Sequence, residues 1–258
     1  MTPLVVLTQA AEGGDSLARQ LAAAGLEVAT WPLVKLTPIA IEAIRPTLEQ
    51  LGDYDWVLLP SPSAVRLVAR RMKELGIPWP AGTRAGLVGP ASVDAFRDCF
   101  GEGPEVDTPP APPHDARHLI ETLSPHGTGA SGPACVRRAL VLNRPDGRTD
   151  WVEELAQKAG TVEVVSAYTA ETLSDGPPPT VMERLRQRQA ADAPIRWVIG
   201  SSSQVDTLLQ ALPAHWSAWA KRQPLLAPHP AIRAHAEAAG FENAQVYHHR
   251  RDLVERLQ

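Results

Sequence analysis

Two nine-residue stretches, 140 positions apart, decide the fold of this chain: residues 57–65 read VLLPSPSAV and residues 197–205 read WVIGSSSQV. Each stretch has three apolar residues and a turn residue, followed by the pattern Ser-x-Ser-x-Val. The apolar run predicts a buried strand. The serines predict a helix start, because their side-chain oxygens accept hydrogen bonds from the free N–H groups of the first turn. Each stretch is therefore expected to be a strand that runs directly into a helix.

The repeat extends beyond these stretches. The same offset of 140 aligns residues 89–91 (GPA) with residues 229–231 (HPA), again where a strand is expected to run into a helix. A strand–helix–strand unit also occurs twice. The first copy is predicted as strand Leu4–Leu7, helix Asp15–Ala24 with Asp15 or Ser16 as its cap, and strand Leu26–Trp31. The second copy is predicted as strand Ala139–Leu142, helix Asp150–Ala159 and strand Val162–Ala167. This alternation predicts parallel sheets covered by helices, in two similar domains.

Composition excludes several classes of function. The 258 residues include 25 Lys and Arg against 29 Asp and Glu, so the net charge of −4 lacks the basic character of nucleic-acid-binding proteins. The apolar runs fall far short of the roughly 18 residues that a membrane span needs, and no secretory signal is visible. The two cysteines, Cys99 and Cys135, lack a metal-binding spacing and are typical of a reducing compartment. We therefore expect a cytoplasmic protein without a nucleic-acid, membrane or metal partner.

Ligands of parallel sheets bind at the carboxyl ends of strands, beside helix N-termini that offer free N–H groups. This rule selects the polar residues and the glycine that follow the predicted strands. The candidate binding residues are Thr8, Ser61, Ser63, Gly89, Asn143, Arg144, Arg148, Ser201 and Ser202. The serines are either ordinary helix caps or carboxylate-binding turns, one in each domain, and the two roles are compatible.

The loop at residues 143–148 (NRPDGR) also has two interpretations. It is either an exposed polar loop or a carboxylate site, since the planar guanidinium group of arginine matches a carboxylate. The sequence contains no G-x-S-x-G or Walker motif, and the glycines at positions 13–14 lack the G-x-G-x-x-G spacing of a dinucleotide-binding turn. Neither serine hydrolysis nor nucleotide binding is therefore indicated.

In their order and spacing, these segments resemble the uroporphyrinogen-III synthase family over nearly the whole chain. The segments that carry the resemblance are residues 5–8 (VVLT), 26–28 (LEV) with Pro32, 58–65 (LLPSPSAV), 88–91 (VGPA), 141–148 (VLNRPDGR), Gly160, 167–169 (AYT) and 201–203 (SSS). Three turns depart from the family pattern: Gln9, Pro60 and Gly200 stand where members often have arginine, threonine and threonine.

The resemblance implies two flavodoxin-like α/β domains joined by a two-segment linker. Residues 1–36 and 172–258 would form one domain and residues 38–168 the other, with linkers near 35–39 and 168–179. It also implies a reaction in which linear hydroxymethylbilane loses its hydroxyl group as water, its ring D is inverted, and the macrocycle closes to uroporphyrinogen III. The enzyme would be a cyclising lyase of tetrapyrrole and haem biosynthesis that needs no cofactor.

Tyr168, in the Ala-Tyr-Thr segment, is the catalytic residue that the resemblance suggests. A phenol is protonated at neutral pH, so Tyr168 would donate a hydrogen bond to the departing hydroxyl group. The alternative is an aromatic residue packed at the linker. We expect a monomer that makes a transient contact with the preceding pathway enzyme. The competing hypothesis is a hinged two-domain small-molecule-binding or sensor protein without catalytic activity, because such proteins share the two-domain α/β plan.

Overall fold

The chain forms two compact units in a computed structural model that describes residues 2–112, 114–123, 138–147 and 149–258. Unit 1 comprises Met1–Leu36 and Ala170–Gln258, and unit 2 comprises Thr37–Thr169. Each unit is built on a five-stranded parallel sheet with helices, so the predicted fold class is confirmed. The position of Cys135 lies outside the described residues.

Strands and helices alternate along most of the chain. The strands are β1 (Leu4–Leu7), β2 (Glu27–Thr30), β3 (Val34–Pro38), β4 (Trp56–Leu59), β5 (Arg84–Leu87), β6 (Val106–Asp107), β7 (Arg138–Asn143), β8 (Thr161–Ser166), β9 (Tyr168–Thr172), β10 (Ile195–Val198), β11 (Leu225–Ala227) and β12 (Ala244–Val246). The helices are α1 (Ala11–Ala23), α2 (Ile41–Glu49), α3 (Pro62–Leu75), α4 (Pro90–Phe100), α5 (Ala116–Thr122), α6 (Val152–Ala159), α7 (Pro179–Ala190), α8 (Ser202–Ala211), α9 (Ser217–Arg222), α10 (Pro230–Ala238) and α11 (Arg250–Leu257).

The two sheets have the same spatial order of strands, although the chain fills them in a different sequence. The order is β12-β11-β10-β1-β2 in unit 1 and β6-β5-β4-β7-β8 in unit 2. The two orders agree when β7 and β8 are matched with β1 and β2, and β4 to β6 with β10 to β12. This matching also explains the offset of 140 between the two deciding stretches. The order is the flavodoxin-like one, and in unit 2 the chain enters it at the third strand.

The chain passes between the units twice, within strands β3 and β9. These strands form a two-stranded sheet, and the boundaries of the units fall inside them, after Leu36 and after Thr169. The segments expected as extended linkers are thus partly strands that satisfy their backbone hydrogen-bonding groups by pairing with each other. In the part of the chain that the structure describes, no helix is long and apolar enough to cross a membrane.

Apolar side chains cover both faces of the sheets because helices lie on both sides. In unit 1, Leu4 and Val6 belong to the buried cluster around Trp197, whereas Val5 and Leu7 belong to a second cluster with α1 and α11. Successive residues of a strand point to opposite faces, which accounts for the continuous apolar run in β1. In unit 2, one face of β4 and β7 packs against α5 and α6 in the same way.

The prediction for the start of the first helix is wrong. α1 begins at Ala11 and has no side-chain cap, so neither Asp15 nor Ser16 caps it. The glycines at positions 13–14 each disfavour a helix by about 1 kcal/mol, so local propensity alone favours a later start. Burial of the apolar face of α1, including the fully buried Leu21, outweighs this propensity.

Candidate active site

The order of strands reverses once in each sheet, and ligands of such sheets bind beside the reversal, at the carboxyl ends of the two strands concerned. In unit 1 the reversal lies between β1 and β10, which are followed by Thr8 and Ser201. In unit 2 it lies between β4, which leads into Ser61, and β7, which ends at Asn143. We call residues 8–9 with 200–204 the unit 1 rim, and residues 60–63 with 143–147 the unit 2 rim.

A network of buried polar groups joins β1, β10 and α8 at the unit 1 rim. The hydroxyl of the fully buried Thr8 lies 2.9 Å from the carbonyl oxygen of Val198 and 3.3 Å from Oε1 of Gln204. The N–H of Gly200 donates to the same Oε1 at 2.8 Å. The hydroxyl of Thr8, expected to contact a ligand, is thus turned into the unit. Gln204, which was not predicted from the sequence, stabilises the turn between β10 and α8 by accepting the N–H of Gly200.

Ser201 is the N-cap of α8. Its hydroxyl accepts a hydrogen bond from the N–H of Gln204 at 3.4 Å and lies 3.0 Å from the hydroxyl of Ser203. Ser201 and Ser202 are half-buried. The N–H groups of Ser202 and Ser203 have no acceptor within the helix, because they belong to its first turn. This turn therefore presents hydrogen-bond donors, which is the chemistry that a carboxylate requires.

A second polar pair in unit 1 was not predicted from the sequence. The side-chain N–H of Gln9 donates to the hydroxyl of Tyr247 at 3.4 Å, across 238 positions of the chain. Burial raises the pKa of Tyr247 to about 12, so this side chain is a neutral phenol at physiological pH. Gln9, one of the departures from the family pattern, is thereby tied to the end of β12.

At the unit 2 rim, Ser61 lies close to Tyr168, the first residue of β9. Ser61 is the N-cap of α3, and its hydroxyl accepts a hydrogen bond from the N–H of Ala64 at 3.1 Å. The hydroxyl of Tyr168 lies 3.4 Å from the hydroxyl of Ser61, and Tyr168 is only 4% exposed. Two residues singled out in the sequence, 107 positions apart, are therefore within hydrogen-bond distance. Ser63, in the first turn of α3, is half-buried.

The polar loop after β7 lies close to the end of that strand. Asn143 is buried, and its carbonyl oxygen accepts a hydrogen bond from the N–H of Ala167 at 2.7 Å. A Cβ atom at position 147 would lie 2.6 Å from Oδ1 of Asn143. Only glycine therefore fits at Gly147 without displacing the Asn143 side chain, which places this amide under the loop.

The remaining candidates have different surroundings. Nε of Arg144 lies 3.4 Å from a carboxylate oxygen of Asp146, and the Arg144 side chain is 39% exposed, so its charge is partly balanced within the loop. Arg148 lies outside the described residues. Gly89 precedes α4, and a Cβ atom there would lie 3.0 Å from Cβ of His114. His114, which was not predicted from the sequence, therefore adjoins the carboxyl end of β5.

Unit 2 also contains a groove of about 1040 Å³ near the amino-terminal ends of β5 and β6. Trp79, Phe100 and Pro104 line it, together with Arg70 and Lys73. Because ligands of parallel sheets bind at the carboxyl ends of the strands, we take the rims as the candidate active site and not this groove. Among the described residues, no group of three or more His, Cys, Asp and Glu side chains is arranged to hold a metal ion.

The chain matches known proteins in sequence and in fold. The sequence profile of uroporphyrinogen-III synthase HemD matches residues 15–251. A mutant uroporphyrinogen III synthase from the extremely thermophilic bacterium Thermus thermophilus is similar in structure, with 17% identity, a TM-score of 0.52, and coverage of 99% of this chain and 96% of that one. A uroporphyrinogen-III synthetase from Helicobacter pylori has 10% identity, a TM-score of 0.50 and coverage of 100% of both chains. At these identities the two structures show the fold alone. No curated protein sequence matches significantly.

Measurements of the free energy of unfolding without ligand can show whether the serines cap their helices, independently of any role in ligand binding. Ser61→Ala and Ser201→Ala are each expected to lower the free energy of unfolding by about 1 kcal/mol, because each removes the side-chain acceptor at a helix start. Ser63→Ala removes a hydroxyl from the same turn of α3 without removing the cap, and should change stability by less than about 0.5 kcal/mol. Urea denaturation followed by circular dichroism measures all three. Equal stability of Ser61→Ala and the wild type would exclude a significant cap at Ser61.

Proposed function

The chain belongs to the uroporphyrinogen-III synthase family, and on this basis we propose that its two rims bind hydroxymethylbilane and that Tyr168 assists departure of the hydroxyl group. The enzyme closes the linear tetrapyrrole to uroporphyrinogen III, with loss of water and inversion of ring D. It is a cyclising lyase. The alternative of a hinged binding or sensor protein is not favoured, because the family match extends over residues 15–251.

The reaction requires positioning more than strong acid–base catalysis. The pyrrole rings themselves supply the electron pair that expels the hydroxyl group, and an electron-deficient azafulvene remains. The non-inverted type I isomer forms without an enzyme. The protein must therefore assist the leaving group and hold ring D so that attack occurs at its substituted carbon.

The proposal depends on one observation, the short distance between the hydroxyl groups of Ser61 and Tyr168. The N–H of Ala64 donates to the Ser61 hydroxyl at 3.1 Å, and this hydroxyl lies 3.4 Å from that of Tyr168. We assign the donor role in the second contact to Ser61: its oxygen accepts from the backbone, and its proton then has the phenol oxygen of Tyr168 as acceptor. The phenol proton of Tyr168 is then left for the departing hydroxyl group, and each hydrogen bond in the chain polarises the next.

The acidic side chains of the substrate are proposed to bind to donors at both rims. The N–H groups of Ser63 in α3 and of Ser202 and Ser203 in α8 have no acceptor within their helices, and the same turns carry the hydroxyls of Ser63, Ser201 and Ser202. Arg144 would exchange Asp146 for a substrate carboxylate. The exchange costs little, because an exposed ion pair contributes about 0–1 kcal/mol.

We also propose that the enzyme works as a monomer in the cytoplasm and receives its substrate through a transient contact with the preceding enzyme. The exposed free thiol of Cys99 supports a reducing compartment. Transfer by contact has a chemical advantage, because free hydroxymethylbilane closes spontaneously to the wrong isomer.

The function is tested by the isomer of the product. The wild-type enzyme, supplied with enzymatically generated hydroxymethylbilane, should give the type III isomer after oxidation and chromatographic separation. Ring closure alone is no test, since type I arises spontaneously. A product containing only type I, from a folded wild-type enzyme, would contradict the function.

Tyr168→Phe is expected to lower kcat by about ten- to a thousandfold with KM near the wild-type value, because it removes a general-acid contribution and keeps the ring. Activity should not disappear, since the pyrrole nitrogen still drives departure of the hydroxyl group. Tyr54→Phe is the matched control, because the Tyr54 hydroxyl donates to Glu163 at 2.5 Å near the amino end of β4. Its kcat should remain that of the wild type. An unchanged kcat and isomer ratio in Tyr168→Phe would reduce Tyr168 to a packing residue.

A further inference from the structure

Gln204 occupies an unusual position at the unit 1 rim. It lies in the first turn of α8 and is only 6% exposed, so a polar side chain is almost entirely enclosed beside the reversal of the sheet. Its Oε1 accepts a hydrogen bond from the N–H of Gly200 at 2.8 Å and lies 3.3 Å from the hydroxyl of Thr8. Burying an amide is unfavourable unless both of its ends find partners.

The contact with Gly200 determines which way the amide points. A backbone N–H can only donate, so the atom 2.8 Å from it is the oxygen, and Nε2 of Gln204 points away from the turn. Among the described residues, no acceptor forms a hydrogen bond with Nε2, and Nε2 is not one of the fully enclosed atoms. The hydrogen bond from Gly200 therefore fixes the orientation of the Gln204 amide, and its N–H₂ group can donate to an acceptor outside the described residues.

The helical turn that carries Gln204 also carries other donors, and these indicate the kind of acceptor. The free N–H groups of Ser202 and Ser203 belong to this turn, and the hydroxyls of Ser201 and Ser203 lie 3.0 Å apart in it. The positive end of the helix adds to this set. Several donors and a positive potential match an anion with more than one acceptor oxygen, such as a carboxylate.

We infer that Gln204 is a specificity-determining residue of the reaction, whose Nε2 donates a hydrogen bond to a carboxylate of the tetrapyrrole at the first turn of α8. This inference rests on the proposed function. Unit 2 has no counterpart: at the offset of 140, Ala64 stands in place of Gln204, and Pro60, which has no N–H, stands in place of Gly200. The two replacements fit each other, because a turn without an N–H to satisfy needs no side-chain acceptor.

Gln204→Glu separates this role from a purely structural one. The carboxylate keeps an oxygen for the N–H of Gly200 and replaces the donor by a second acceptor, so the turn is preserved while the substrate carboxylate is repelled. KM should rise roughly ten- to a hundredfold, the effect of one hydrogen bond to a charged group. The buried carboxylate is expected to lower the melting temperature, so circular dichroism must show that the variant is folded at the assay temperature. Gln210→Glu adds the same charge on the exposed side of α8 and should change KM by less than about twofold.

Two outcomes of this experiment distinguish a failure of the inference about Gln204 from a failure of the proposed function. If the wild type produces type III isomer and the KM of Gln204→Glu equals that of Gln210→Glu, the inference about Gln204 is overturned and the proposed function stands. If the wild type yields only type I, the proposed function itself fails. A second measurement covers the case in which Gln204→Glu does not fold. In the wild type, the side-chain amide resonance of Gln204 should shift in ¹H–¹⁵N spectra when uroporphyrinogen III is added anaerobically, and an unchanged resonance at saturation overturns the inference.

Discussion

The reversal of strand order within each parallel sheet determines where the helices leave the strands and where polar side chains gather. On the two sides of the reversal in unit 1, the following helices leave toward opposite faces: α1 packs in the cluster of Val5 and Leu7, and α8 packs in the cluster of Leu4 and Val6. Neither helix then covers the carboxyl ends of the two neighbouring strands. The polar residues of the turns are concentrated at this place, and in unit 2 the equivalent place holds Ser61 and the end of β7.

The same topology gives the two rims different chemistry. In unit 1 the side-chain oxygen of Gln204 accepts the N–H of Gly200 in the turn after β10, and among the described residues its N–H₂ group has no acceptor. In unit 2 the turn after β4 contains Pro60, and the hydroxyl of Ser61 is instead paired with Tyr168. Tyr168 begins β9, the strand in which the chain leaves unit 2. The two rims therefore differ: the unit 2 rim lies beside the phenol of Tyr168, and the unit 1 rim contains the amide of Gln204.

Local patterns in the sequence predict most of the strands and helices. They do not predict which residues far apart in the sequence contact each other. The N-caps Ser61 and Ser201 act on N–H groups three residues ahead, so a short pattern is sufficient to find them. The contact of Tyr168 with Ser61 spans 107 positions, and only the family resemblance directed attention to Tyr168. Gln204 reaches Thr8 across 196 positions and reads in the sequence as an ordinary helical residue. The start of α1 was misplaced for a related reason, since burial against the sheet outweighs local propensity there.

We propose that the product binds at the carboxyl ends of the strands, and millisecond hydrogen–deuterium exchange can locate the bound product. Exchange would be compared for the free enzyme and for the enzyme saturated with uroporphyrinogen III under anaerobic conditions. We expect slower exchange at residues 63–65 and 202–205, in the first turns of α3 and α8, and unchanged exchange at residues 77–83 beside the groove of unit 2. Slower exchange confined to residues 77–83, with both first turns unaffected, would contradict this proposal.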